Sequence, residues 1–166
     1  MILDTLFEGF AEGAGLDILE AKKAALIIFI HNTADFIINQ IFHYVFAANQ
    51  PRGVLLTEHL LVNSDLLRKA TALKKSGIID DKLYKNLPKL NDMRVSIAHG
   101  KEKDSQRLNF KGKNILSGTA KLLEELDDLT VQELLKIVER VRRVRIYKDK
   151  WPEKPFIQGL YDKDRK

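Results

Sequence analysis

The chain of 166 residues contains no cysteine. Disulfide cross-links and thiolate metal centres are thereby excluded, and the expected compartment is a reducing cytoplasm. Gly-rich phosphate loops, a G-x-S-x-G elbow, an HExxH pair and a dinucleotide fingerprint are also missing. That removes the commonest nucleotide-binding, hydrolase and zinc-protease signatures. The first six residues, Met1 to Leu6, lack the basic and apolar regions of a signal peptide. Long hydrophobic runs are scarce too. The longest uncharged stretches, 24–34 and 36–51, are too short for a comfortable membrane span, so no membrane association is expected. There are only four prolines, and Pro88 alone falls inside a stretch of helical periodicity.

What is present is an ordinary globular composition, 45% hydrophobic and 31% charged, long enough to bury a real core without staples. One helical domain over 1–150 and an extended C-terminal tail over 151–166, carrying Trp151 and Phe156, are expected. The net charge of +5 is unevenly spread: residues 1–60 hold three basic and seven acidic residues, net −4, and residues 61–166 hold twenty-five and sixteen, net +9. An acidic, apolar half beside a basic half suggests a buried or self-associating side and a side that faces polyanions.

Residues 1–15, with Gly9, Gly13 and Gly15, read as a short helix or irregular lead-in. From 16 to 48 there is neither glycine nor proline, and apolar residues fill more than one face, which predicts one long helix buried on several sides or lying in an oligomer interface. Its polar residues His31, Asp35, Asn39 and His43 recur every fourth position along one ridge. The ridge drifts by about 40° per step, so the four do not converge on a single ion, and neither a metal nor a cofactor is expected. It reads as a polar seam turned toward a dimer partner, a basic pair or solvent. A turn at 49–53 and a segment at 55–61 come after it. Asn63 or Ser64 can cap a helix over 65–76, and Gly77 supplies its left-handed stop. Asp80 is the expected cap of the next helix, with Pro88 kinking or restarting it and Asn86 as a second cap. Leu108 to Leu116 fits a small β-hairpin near 107–117, or a loop. A helix over 119–128 comes next, and Thr130-Val131-Gln132-Glu133 is a capping box expected to start another that runs to about 147. That last helix carries Arg140, Arg142, Arg143 and Arg145, which either complement the helix dipole or form a footprint for nucleic-acid phosphates. The pattern is all-α, an up-and-down bundle of four to five main helices.

The stretch with chemistry in it is Arg94-Val95-Ser96-Ile97-Ala98-His99-Gly100, entered through Leu87, Leu90 and Met93. Arginine is a permanent cation suited to phosphate, and histidine moves protons near neutrality. Five residues apart, they differ by about 140° on an ideal helix, so they meet if the helix loosens near Gly100, if the arginine reaches around, or across a two-fold axis. Without a partner the same residues read as an ion-pairing arginine and a histidine at a helix C-terminus.

This run resembles the core of HEPN domains, small helical bundles whose signature is Arg, four to six residues, then His. Lys74 to Asp80 is similar to the interhelical turn of the mannitol-operon-repressor branch of that group. The resemblance covers about forty residues specifically. It implies a homodimer, formed here through the long helix 16–48 and the Arg94/His99 helix. It also implies metal-independent RNA cleavage giving 2′,3′-cyclic phosphate ends, as in toxins and defence effectors. Arg94 would hold the scissile phosphate and His99 would act as acid or base, with Asn91, Ser96, His31 and Asp35 as supporting polar residues. Where the family commonly has a polar residue after the arginine, this chain has Val95. The alternatives are a non-catalytic regulatory or interaction module of the mannitol-repressor kind, working with an antitoxin or regulatory protein, and a helical scaffold that binds nucleic acid without cutting it.

Overall fold

The computed structural model describes residues 2–14, 16–46, 64–99 and 106–146. The tail, the turn and segment at 49–61, Asn63 and Gly100 lie outside these. The architecture is an all-α helical bundle with one small hairpin. It comprises α1 (Ile2–Ala14), α2 (Ile18–Phe46), α3 (Leu66–Lys75), α4 (Asp81–Ala98), β1 (Asn109–Phe110), β2 (Lys113–Asn114), α5 (Ala120–Asp127) and α6 (Glu133–Ile146). The long helix α2 is the axis of the molecule. It packs against α1, α3, α4, α5 and α6, and its Ile27, Ile30, Ala34, Ile38 and Ile41 form the middle of the core.

Several boundaries reflect local chemistry. Asp65, one position beyond the expected caps, takes the N-cap of α3, its carboxylate accepting the Arg68 N–H at 2.8 Å. At the other end Gly77 has φ +68°; its N–H donates to the Lys74 carbonyl and the Ile78 N–H to that of Leu73. This is the paired stop that a left-handed residue permits. Asp80 caps α4 by accepting the Leu83 N–H at 2.8 Å. The hairpin pairs Asn109 with Asn114 and Phe110 with Lys113, and both turn residues, Lys111 and Gly112, have positive φ. A two-residue turn of that hand matches the twist of the flanking strands. Its flanks Leu108, Phe110, Ile115 and Leu116 are buried in the core.

Two boundaries differ from expectation. Helix α4 runs unbroken through Pro88, and Asn86 does not cap a second helix. Leu83, Leu87, Leu90, Met93 and Ile97 are buried on one face that spans the proline. At roughly 1.5–3 kcal/mol for each such side chain, their burial outweighs the ~3 kcal/mol that an internal proline costs. The expected capping box does not form either. Residues Asp128–Gln132 make a single π-helical turn that joins α5 to α6, so the helix continues where a new start was expected. Thr130 is fully buried with its hydroxyl unpartnered among the described residues, and Glu133 pairs with Lys136 at 2.7 Å. The extra residue of a π turn rotates the helix beyond it, and Val131, Leu134 and Val141 continue the buried face of Leu122, Leu123 and Leu126.

Long-range polar contacts lock these pieces together. The buried Lys23 of α2 donates from Nζ to the carbonyls of Leu116 and Gly118, at 2.5 and 2.6 Å, holding the hairpin exit. Lys69 of α3 meets Asp35 of α2 at 2.8 Å. Asn86 of α4 donates from Nδ2 to the Leu129 carbonyl at 3.4 Å, reaching into the π turn where the regular ladder is interrupted.

Candidate functional site

The last two turns of α4 divide into an inner and an outer face. Leu90, Met93, Ser96 and Ile97 are buried. At 100° per residue the opposite sector holds Asn91, Asp92, Arg94, Val95, Ala98 and His99. Arg94 and His99 lie about 140° apart on that outer face, with Asn91, Val95 and Ala98 between them and the exposed Asp92 about 20° beyond His99. Asn91, Arg94 and Val95 are half-buried, and Ala98 and His99 are exposed. Their Cα atoms are roughly 8–9 Å apart by helix geometry, so one chain presents the pair on a convex surface.

Arg94, a half-buried residue, makes no hydrogen bond or ion pair among the described residues. His99 is the C-cap residue; its backbone N–H donates to the Val95 carbonyl at 3.1 Å, and its ring is left in solvent.

The structure separates the expected supporting residues. Asn91 shares the outer face, next to Arg94 by helical spacing. Ser96 lies on the inner face, fully buried, its hydroxyl unpartnered among the described residues. Asp35 is committed to Lys69, whose side chain is only 3% exposed. His31 has Nδ1 3.3 Å from the Asn32 amide oxygen; among the described residues its buried Nε2 has no partner and no hydrogen bond joins it to Arg94. With Asn39 and His43 these two form the polar margin of α2. His43 lies edge-on to Tyr44 with ring centroids 6.0 Å apart. No three His, Asp or Glu side chains gather as metal ligands among the described residues.

The basic cluster of α6 is divided as well. Arg140 donates to the Ile78 carbonyl at 3.2 Å, clasping α6 to the turn after α3, and Arg143 lies 3.5 Å from Glu139. These two, with Lys136 and Glu139, line a shallow open groove. Arg142 is exposed on a different side of the helix, and the side chain of Arg145 lies outside those described. Elsewhere, Lys74 at 2.7 Å holds the Asp81 carboxyl below its usual range, and Lys111 at 2.8 Å does the same for Glu125. At the π turn, burial and then the neighbouring Asp128 push the Asp127 carboxyl upward, against a hydrogen bond with Gln132.

The sequence gives no sign of the buried roles of Lys23 and Lys69, or of the contact that Asn86 makes in place of a cap, since their partners lie 34 or more residues away and leave no local trace. Sequence reasoning passed over the exposure of Phe29 and Phe36, which heptad spacing along α2 could have revealed. By length and composition, Ile18–Val45 could cross a membrane, with mean hydropathy 1.4 in its most apolar window and 39% of that window buried inside the bundle. Comparison with protein-family models, with curated proteins and with solved structures returns no match.

Proposed function

We propose that this chain is a HEPN-like, metal-independent endoribonuclease that works as a homodimer in the cytoplasm, in the manner of a toxin or defence effector. The observation that carries this reading is Arg94, a half-buried residue with no carboxylate partner among the described residues, on the same outer face as the exposed His99. A guanidinium without a protein counter-ion is open to a phosphate arriving from solvent, which it can hold through paired charge-assisted hydrogen bonds. A second copy set against this face would turn two convex surfaces into one cleft containing two such pairs.

In that cleft one His99 takes the proton from a ribose 2′-OH as the oxygen attacks the adjacent phosphorus. Arg94 balances the charge that grows on the non-bridging oxygens. The bond from phosphorus to O5′ breaks, the partner's His99 protonates the leaving oxygen, and the products are a 2′,3′-cyclic phosphate and a 5′-hydroxyl. The proton taken at one imidazole is matched by the one given from the other. Val95, central on the outer face, gives the substrate an apolar contact where a polar side chain is common in the family.

The test uses purified protein with single-stranded and structured RNA in EDTA. Cleavage to cyclic ends, lost in both Arg94→Ala and His99→Ala, is expected. Binding without cleavage would instead favour the scaffold reading, to which the groove at Lys136, Arg140 and Arg143 lends itself. Inertness toward RNA would favour the regulatory module with a protein partner, for which the exposed apolar residues of α2 are suited.

A further inference from the structure

Helix α2 is apolar almost all round, but the described elements cover only part of it. Ile18, Leu19, Leu26, Phe29 and Phe36 are between 49% and 66% exposed, and at 100° per residue they fall within one stripe about 100° wide. The stripe turns away from the buried face of Ile27, Ala34 and Ile41 and runs about 27 Å along the helix. Its five side chains expose roughly 600 Å², the upper limit for an apolar patch on a free monomer. The sequence carries a second apolar stripe beyond α6, in the stretch that begins at Trp151.

We infer that residues 151–161 lie along α2 as an extended strap, running antiparallel to it from Phe36 toward Ile18. The bundle sets the starting point. Lys23, bonded to the Leu116 and Gly118 carbonyls, places the entry to α5 near the start of α2. From there α5, the π turn and α6 continue as one helix of about 40 Å, and all three pack on α2. That helix therefore runs parallel to α2 and ends beside its C-terminal half. Residues 147–150 then provide about 12 Å of extended backbone, enough to turn back onto Phe36.

The spacing fits. Pro152-Glu153-Lys154-Pro155 favours a polyproline II helix, with three residues per turn and about 3.1 Å per residue, so 151–161 reach about 31 Å, close to the length of the stripe. Trp151, Ile157 and Leu160 share one edge of such a helix, and Pro152, Pro155 and Tyr161 the next. The third edge holds Lys150, Glu153, Phe156 and Asp162 and faces water. Setting Trp151 at Phe36 brings Pro155 to Phe29, Ile157 to Leu26 and Leu160 to Leu19. Prolines against aromatic side chains are the usual way such segments are held. Charge agrees: residues 147–166 hold six basic and four acidic residues, net +2, against net −4 over 1–60. Lys163, Arg165 and Lys166 arrive beside Glu12, Asp17 and Glu20, where α1 passes into α2. On so short a connector the strap has an effective concentration on the order of millimolar, which favours it over a separate molecule for the same patch. It lies away from Arg94 and His99, goes beyond the nuclease reading and does not depend on it.

The test uses the full chain, in which Trp151 is the only tryptophan and the lack of cysteine makes engineered thiols unambiguous. Wild-type Trp151 emission is expected to lie to the blue of its position in urea and to be shielded from acrylamide. Phe29→Glu on the helix and Ile157→Glu on the strap should each move it to the urea position, with the circular dichroism spectrum unchanged. Under oxidation, Leu19→Cys/Leu160→Cys should close within one chain and Phe36→Cys/Leu160→Cys should not. Wild-type emission already at the urea position, or emission indifferent to Phe29→Glu, would overturn the proposal. So would a Leu19→Cys/Leu160→Cys bond formed only between chains, which gives the stripe to a second copy. Binding of wild type to neutral phosphatidylcholine vesicles, lost in Phe29→Glu, would also overturn it and give the stripe to a lipid surface. His99→Ala keeps the Trp151 emission and reports only on cleavage, so failure of the strap and failure of the nuclease reading are distinguishable.

Discussion

The pair Lys69–Asp35 yields a prediction with a definite asymmetry. Lys69 is 3% exposed and Asp35 33%, with Nζ and Oδ1 2.8 Å apart. Replacing Asp35 by leucine strands an ammonium group inside the bundle. Breaking a fully buried pair in that way costs about 3–5 kcal/mol, and the partial exposure of Asp35 puts this case near about 3 kcal/mol. Lys69→Met leaves a carboxylate that already reaches water, so its cost is about 1 kcal/mol. The double variant Asp35→Leu/Lys69→Met restores an apolar contact between α2 and α3 and should fall within about 1 kcal/mol of wild type. For a chain of this size each kcal/mol moves Tm by about 2–4 °C, so thermal melts monitored by circular dichroism should show a fall of about 6–12 °C in the first variant only. The double-mutant cycle then gives a coupling energy of a few kcal/mol. Equal losses in the two single variants, or a double variant as unstable as their sum, would refute the assignment of the cost to a stranded lysine.

Three further variants probe the places where the helices depart from regularity. Pro88→Ala should raise stability by about 1–2 kcal/mol, since it returns a donor to the Tyr84 carbonyl and loses only the proline's restraint on the unfolded chain; a fall in Tm would mean that the core needs the local bend. Asn86→Ala orphans the Leu129 carbonyl at the π turn and should cost about 1 kcal/mol, read as a lower urea midpoint at unchanged slope. Asp127→Asn tests the raised carboxyl. An acid held above its unfolded value of 3.8 destabilises the fold once ionised, so the variant should have the higher Tm at pH 7 and the same Tm as wild type well below pH 3.8. A gain that persists in acid would assign the effect to something other than charge.

How far the fold was legible depended on the range of the responsible interaction. Gly77, Asp80 and the Lys111-Gly112 turn act on neighbours within about five residues, and each did in the structure what its chemistry dictates. Pro88 and the Thr130-Glu133 box are equally local signals, yet both were overridden, because a cap or a proline is set against several leucines buried together. In the candidate site, the outer placement of Arg94, Asn91 and His99 is a consequence of helical spacing once the buried face is known. The engagement of Asp35 with Lys69 and the burial of Ser96 are not.

By itself, then, the sequence determined an all-α chain, most of its helix limits, and a cation and an imidazole on one helix end. Only the tertiary structure decided which lysines go inside, where the regular helix loosens into a π turn, and which side of α2 is left uncovered. Those outcomes depend on the shape of the whole core and on partners 34 to 95 residues away, where no local propensity reaches.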